Sequence, residues 1–243
     1  MLTVLYRDEQ LVAIDKPSGL LVHRSDVDRH ETRFAVQLLR DQIGRRVHPV
    51  HRLDRGTSGV LLFALDVESA RSLGRQFEAG EVAKRYLAVV RGWPPETGRI
   101  DHALTRDAED RAPAATPQEA CTLFRRLATV ELPHAVDRFP TSRYALVGLE
   151  PRTGRHHQLR RHMKYIAHPI IGDATHGKGV HNRFFAAEFG ASRLLLACVG
   201  LDIRHPASGA PVTLRAAPGD AFATVLQRCG WQPAATAFVD RGD

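Results

Sequence analysis

The chain has 243 residues, of which 43% are hydrophobic and 25% charged, and that balance excludes a disordered or fibrous chain. A chain of this length can bury roughly 70–75% of its unfolded surface, enough for one large domain or two closely packed lobes. Four of the 34 basic residues are lysines, so 34 − 4 = 30 are arginines, and the net charge is +7; arginine forks suit bidentate phosphate contacts, and the excess points to a polyanionic partner, most simply nucleic acid.

Met1-Leu2-Thr3-Val4-Leu5-Tyr6-Arg7-Asp8-Glu9 meets charge too early for a signal peptide, and no run approaches a membrane span. Cys121, Cys198 and Cys229 are odd in number, widely spaced and without a C-x-x-C, so neither a disulfide framework nor a cysteine zinc site is supported and a reducing cytoplasm is expected. Residues 3–6 and 11–14 predict a hairpin, and Lys16-Pro17-Ser18-Gly19 a turn. Phe34, Ala35, Leu38, Leu39 and Ile43 have helical spacing over 31–43, with Gly44 as a cap. Residues 60–65 are a continuous apolar run, a buried strand. Asp66 can N-cap a helix over 67–79 whose apolar face is Ala70, Leu73 and Phe77. Strands are expected at 84–92, 121–131, 142–150, 193–204 and 211–214, an exposed loop or flap at 105–119, and a helix at 219–229. With no repeat and no long linker, the expectation is one domain over 1–231 and a flexible tail over 232–243, of α+β class with an antiparallel or mixed sheet.

Two stretches carry unusual chemistry. In His51-Arg52-Leu53-Asp54-Arg55-Gly56-Thr57-Ser58-Gly59, one carboxylate stands between two arginines on a loop that runs straight into the apolar strand. A loop leading into a core strand can hold a catalytic group rigidly, although most loop aspartates only make turn hydrogen bonds. In Pro151-Arg152-Thr153-Gly154-Arg155-His156-His157-Gln158-Leu159-Arg160-Arg161-His162-Met163-Lys164 there are five Arg/Lys, three His and no acid. From His156 to about Ala167 it reads as a helix, and basic groups at a helix N-terminus oppose the dipole unless an anion, a phosphate or a nearby carboxylate, sits there.

Other motifs are weaker. Gly172-Asp173-Ala174-Thr175-His176-Gly177-Lys178-Gly179 approaches a phosphate-binding loop, but Gly179 stands where a magnesium-holding Ser/Thr is required and no clear amphipathic helix follows, so a turn is expected. His157 and His162 are five apart and no H-E-x-x-H exists, so no metal is expected. A Ser58–His51–Asp54 triad lacks a nucleophile elbow. What remains is an aspartate among arginines, a tyrosine (Tyr86) on a strand and a basic helix, a set that fits the handling of a nucleotide: an ionised carboxylate needs a nearby cation, and an aromatic can stack on a base drawn out of its helix.

These residues resemble the RluA family of RNA pseudouridine synthases. His51-Arg52-Leu53-Asp54-x-x-Thr57-Ser58-Gly59 is similar to its catalytic motif, Lys16-Pro17-Ser18-Gly19-Leu20-x-Val22-His23 to its N-terminal motif and Lys84-Arg85-Tyr86 to its tyrosine motif. Thr153-Gly154-Arg155-x-His157-Gln158-Leu159-Arg160-x-His162 is similar to its basic motif, and His168-Pro169-Ile170-x-Gly172-Asp173 to the segment after it. The lack of an N-terminal S4-type extension, with residues 41–44 and 140–144, looks most like the branch that modifies uridine 65 of certain tRNAs. The resemblance implies a mixed, mostly antiparallel sheet in two fused halves with a central cleft, and a cofactor-free isomerisation of uridine. It implies that Asp54 attacks the ribose C1′ or the uracil ring and that Arg160 keeps it ionised. Tyr86 would stack on the flipped base, Arg52 would fill the space that base leaves, and Leu159 would pack beneath it. Arg155 and Arg161 are expected on phosphates, and His51 belongs with the substrate-binding set. The implied partner is tRNA, with ribosomal RNA as the alternative substrate and a non-catalytic RNA-binding protein as the alternative class; no membrane and no obligate protein partner are expected.

Overall fold

The computed structural model describes residues 1–23, 31–105 and 116–240. The chain forms two compact units, Met1–Lys84 with Leu196–Gly219, and Arg85–Leu195 with Asp220–Asp243. Ten strands and six helices among the described residues give a mixed, mostly antiparallel α+β fold, the class expected.

In the first unit, β1 (Thr3–Arg7) and β2 (Leu11–Lys16) form the expected hairpin, closed by the Asp8 carboxylate, which accepts from the backbone N–H of Gln10 at 2.8 Å and of Leu11 at 2.7 Å. β2 pairs antiparallel with β4 (Ser58–Ala64), which is buried at every position, as its unbroken apolar run requires. β4 also pairs with the short β3 (His48–Pro49), and runs parallel to β9 (Leu196–Arg204), which pairs antiparallel with β10 (Pro211–Arg215). Gly59 makes the parallel contact possible. Its φ is +105°, and a Cβ there would lie 2.0 Å from the Cys198 carbonyl oxygen, so a side chain is excluded both by conformation and by space. Helix α1 (Ala35–Ile43) buries Ala35 and Leu39 and ends on left-handed Gly44. Helix α2 (Val67–Glu78) is capped by Asp66, whose Oδ1 accepts from Ser69 N at 2.7 Å, a contact that contributes about 1 kcal/mol.

In the second unit, β5 (Ala83–Arg91), β8 (Ser142–Pro151), β7 (Cys121–Leu132) and β6 (Thr97–Asp101) stand side by side in that order, with each resolved pairing antiparallel. The unit carries α3 (Gln158–Tyr165), α4 (Gly179–Phe189), α5 (Asp220–Arg228) and α6 (Gln232–Val239). The 168–172 segment lies along β5, with Arg91 N donating to Pro169 O and Ile171 N to Val89 O.

Three elements differ from expectation. β6 offers only one buried residue, Ile100, so its sequence shows no alternation to read. Helix α4 follows Lys178 after all; its phenylalanines and alanines spread around the axis, which hides the buried stripe of His181, Phe185 and Phe189. The Gly172–Gly179 stretch is nonetheless the expected turn, closed by Gly177 N donating to Asp173 O at 3.1 Å. Residues 232–239, expected in a flexible tail, form α6. Trp231 is buried ahead of it, and Phe238 fills a notch above Gly148, where a Cβ would come within 2.4 Å of its ring. Most of the expected 105–119 flap, residues 106–115, lies outside the described residues; at its ends Leu104 and Gln118 exchange backbone hydrogen bonds.

Docking of α6 predicts that Phe238→Ala lowers the free energy of unfolding by about 3 kcal/mol in urea denaturation. A frayed tail would show a change of less than about 0.5 kcal/mol.

Candidate active site

Asp54 sits on the loop between β3 and β4. Thr57 N donates to Asp54 O at 3.1 Å, closing a turn, and buried Thr57 and Ser58 carry the chain into the core. The Lys16-Pro17-Ser18-Gly19 turn holds this loop from the other side. The Lys16 ammonium is fully buried and donates to three carbonyls, Pro17 O at 3.0 Å, Leu20 O at 2.7 Å and Arg55 O at 3.2 Å. Ser18 Oγ donates to Gly56 O at 2.7 Å, and Gly19 N to Arg55 O at 2.8 Å. Arg55, to which the sequence assigned no task, pairs with Glu31 and donates from Nε to Gly19 O. The two turns are thus one hydrogen-bonded body, with half-buried Asp54 and exposed Arg52 on its surface.

His51, expected with the substrate-binding set, makes contacts within the first unit. Its Nε2 accepts from Leu62 N at 3.0 Å and its ring stacks on Phe77 with centroids 5.0 Å apart, so it braces β4 against α2. Burial, with the Lys84 cation nearby, pushes its pKa down to about 3, and the ring is neutral. Ser58 Oγ donates to Pro218 O at 3.2 Å, so neither Ser58 nor His51 is arranged as part of a hydrolytic triad.

The second unit holds Tyr86, Arg155, Leu159, Arg160 and Arg161. Tyr86 lies on β5 opposite Leu149 of β8 and is nearly buried. Helix α3 begins after His157, whose φ of 51° is left-handed, and it has no acidic residue in its first turn. Gln158 anchors it: Oε1 accepts from Thr153 Oγ1 at 2.7 Å and Arg155 N at 3.0 Å, while Nε2 donates to Cys121 O at 2.9 Å and Thr122 Oγ1 at 3.0 Å. From Thr122 the chain of bonds continues to His162 Nδ1 at 2.9 Å, and His162 Nε2–H donates to the His102 carbonyl at 3.0 Å. Because a carbonyl only accepts, this fixes the tautomer. Burial, above all, keeps His162 neutral, with its pKa lowered despite the carbonyl bond.

The anion demanded by the basic helix start is a carboxylate. Arg160 donates from Nε to Asp173 Oδ2 at 2.7 Å and from Nη2 to Oδ1 at 2.8 Å, a bidentate pair in which both side chains are almost wholly buried. Burial alone would raise the Asp173 carboxyl; the bonds from Arg160 and from the N–H groups of His176 and Thr175 outweigh it and hold the group below the usual carboxylate range. Asp173 is in turn positioned by Asn182 of α4, which accepts from Gly172 N and donates to Asp173 O. The sequence showed Asp173 as part of a motif but gave it no role, since its partner lies thirteen positions upstream across a turn. Arg155 and Arg161, expected on phosphates, each use part of their fork on the protein: Arg155 Nε donates to Glu119 O and Arg161 Nη1 to Thr105 O, at the two ends of the 105–119 region.

The match to known proteins decides what this collection of groups belongs to. A family model described as RNA pseudouridylate synthase matches residues 10–165, a span that includes Asp54, Tyr86 and Arg160. The chain belongs to the RNA pseudouridylate synthase family. It is 48% identical over 236 residues to tRNA pseudouridine synthase C of Vibrio vulnificus (strain CMCP6), covering 95% of this chain and 96% of that protein. It is likewise 48% identical over 237 residues to tRNA pseudouridine synthase C of Vibrio cholerae serotype O1, covering 96% and 97%. Among solved structures it is similar to Human RNA Pseudouridylate Synthase Domain Containing 1, with a TM-score of 0.72 and 26% identity over 100% of this chain and 96% of that one. The resemblance drawn from five short motifs therefore extends along nearly the whole chain. An RNA pseudouridine synthase is an isomerase. No helix among the described residues is long and apolar enough to cross a membrane, and no group of three metal-ligating side chains occurs among them.

The neutral, buried state of His51 has a pH signature. Its folded pKa, about 3, lies below the unfolded value of 6.5, so acid protonates the unfolded chain first. The stability contribution is complete above about pH 6.5 and is lost as pH falls toward 3, at up to about 1.4 kcal/mol per unit. Between pH 7.5 and 4.5 the protein should lose about 3 kcal/mol more than His51→Gln does in urea denaturation. Equal losses in the two proteins would mean that the ring is not held neutral.

Proposed function

We propose that this chain converts a uridine of tRNA, at position 65, into pseudouridine, with Asp54 as the attacking carboxylate. The observation that carries the proposal is the loop of Asp54. It combines the family's catalytic motif with a backbone held by a buried ammonium and by the Thr57 turn, so the carboxylate is presented without needing to be ordered first. The choice of tRNA rests on the relatives' name, tRNA pseudouridine synthase C, at 48% identity over nearly their full length. Such a substrate supports a cytoplasmic location.

Asp54 attacks either the ribose C1′ or the uracil ring. The N1–C1′ bond breaks, the uracil turns, a bond forms between C5 and C1′, the bond made by Asp54 breaks to return the carboxylate, and the proton on C5 is lost as N1 regains one. Atoms and electrons balance within the nucleotide, so no cofactor enters. In this reading, carried over from the family's motif, Arg160 is the positive charge that serves the attacking carboxylate, and its bidentate bond to Asp173 fixes the plane and rotamer of the guanidinium. Tyr86 offers its ring to the flipped base and serves the loss of the C5 proton. Leu159, on the same turn of α3 as Arg160, packs beneath the base. Arg52, exposed beside Asp54, enters the space that the uridine leaves, and Arg155 and Arg161 add phosphate contacts. His51 we assign to bracing β4 instead of to substrate.

Asp54→Asn should reduce tritium release from 5-tritiated uridine in tRNA to background while tRNA binding stays within about threefold of the unaltered protein. Turnover by Asp54→Asn within tenfold of the unaltered protein would remove Asp54 from its role. Release from ribosomal RNA in place of tRNA would keep the chemistry and change the substrate, and binding with no release by the unaltered chain would make it a pure RNA-binding protein.

A further inference from the structure

Helix α3 has two working faces. Leu159, His162 and Met163, spaced i, i+3 and i+4, point into the core and are at most 7% exposed. Arg161, Lys164 and Tyr165 repeat the same spacing on the outside. Tyr165 stacks on His102, with ring centroids 3.9 Å apart and planes 13° from parallel, and yet it remains 60% exposed, so its ring has surface left for another flat group. The stack is held in place. His102 N donates to Ala120 O at 3.2 Å, and its carbonyl accepts from His162 Nε2 at 3.0 Å, the last link of the chain that begins at Gln158. Beside it is a shallow depression of about 310 Å³, lined by His102, Leu104, Arg161, Lys164, Tyr165 and His176. Among the described residues no carboxylate lines it, and Asp101, the sequence neighbour of His102, is engaged by Arg99 at 2.5 Å.

An aromatic platform with cations on its rim is the chemistry that receives a nucleotide: the ring takes the base and the cations take the phosphate. An apolar protein partner would be poorly served, because among the described residues the depression is lined by Arg161, Lys164 and imidazoles, with Leu104 as its single aliphatic side chain. Along α3, Lys164 is four residues beyond Arg160, about 6 Å of helix, which is on the scale of one nucleotide step.

We propose that the His102–Tyr165 stack, with Arg161 and Lys164 on its rim, is a second RNA-contact site that binds a substrate nucleotide other than the uridine being isomerised. This rests on the reading of the chain as a tRNA-modifying enzyme and adds to it where the tRNA is gripped. None of the residues of the isomerisation site is needed to form it except Arg161, whose fork is already oriented by Thr105 O.

The test uses the full chain and a tRNA transcript. Filter binding across a salt series gives Kd and its salt slope, and pseudouridine formation is followed in the same preparations. Tyr165→Ala should weaken tRNA binding at least about fivefold, the low end of what one stacked base contributes. Tyr165→Phe, which keeps the π face, should restore it to within about twofold. Lys164→Ala should reduce the slope of log Kd against log salt by about 1. A Kd indifferent to Tyr165→Ala overturns the proposal, as does equal weakening by Tyr165→Phe and Tyr165→Ala. Should the unaltered chain form no pseudouridine while Tyr165-dependent binding persists, the isomerase reading fails and this site stands; normal pseudouridine formation with binding insensitive to Tyr165 has the opposite meaning.

Discussion

The ammonium of Lys16 is the interaction on which the organisation of the first unit depends. A buried cation is costly unless its donors are satisfied, and here they are turned on the carbonyls of Pro17, Leu20 and Arg55. One group therefore fixes two segments nearly forty residues apart in sequence: the turn that ends β2 and the loop that carries Asp54. The bonds of Ser18 to Gly56 and of Gly19 to Arg55 add to the same junction. Downstream, Gly59 lets β4 come against β9, and the loop is clamped at both ends. For the proposed reaction, which would draw its chemistry from the Asp54 carboxylate, a loop that is already ordered loses little entropy in presenting that group.

The second unit solves an equivalent problem with the charges reversed. A helix that starts with basic residues would be unstable against its own dipole, and Asp173 answers that by taking the Arg160 fork in a bidentate bond. The Gln158 amide, with all four of its hydrogen bonds made, ties the helix start to β7 and passes order on through Thr122 and His162 to His102. The same network that steadies Arg160 therefore also steadies the outer Tyr165 platform.

Much of this was legible in the sequence, for reasons that differ by element. The β4 strand, the Asp66-capped helix and the β1–β2 hairpin follow from apolar runs, caps and turn residues, all local signals. Asp54, Tyr86 and Arg160 stood out because five motifs in order identify a family. What stayed hidden was either spread around a helix, as the phenylalanines of α4 are, or dependent on a distant partner. Phe238 is an ordinary residue until the notch at Gly148 is seen, and that notch lies ninety positions away. His51 stands first in the catalytic motif, and only the bond from Leu62 N and the stack on Phe77 show that it braces a strand. Lys16 and Asp173 were visible as motif letters, but their roles consist of contacts that no spacing encodes.

The most direct measurement of the central claim is a pseudouridine map of all tRNA and ribosomal RNA from cells with and without the gene for this chain, with re-expression of the intact protein. The account predicts loss of one tRNA pseudouridine, at position 65, restored on re-expression, with ribosomal RNA unchanged. An unchanged tRNA map, or a loss confined to ribosomal RNA, would contradict it.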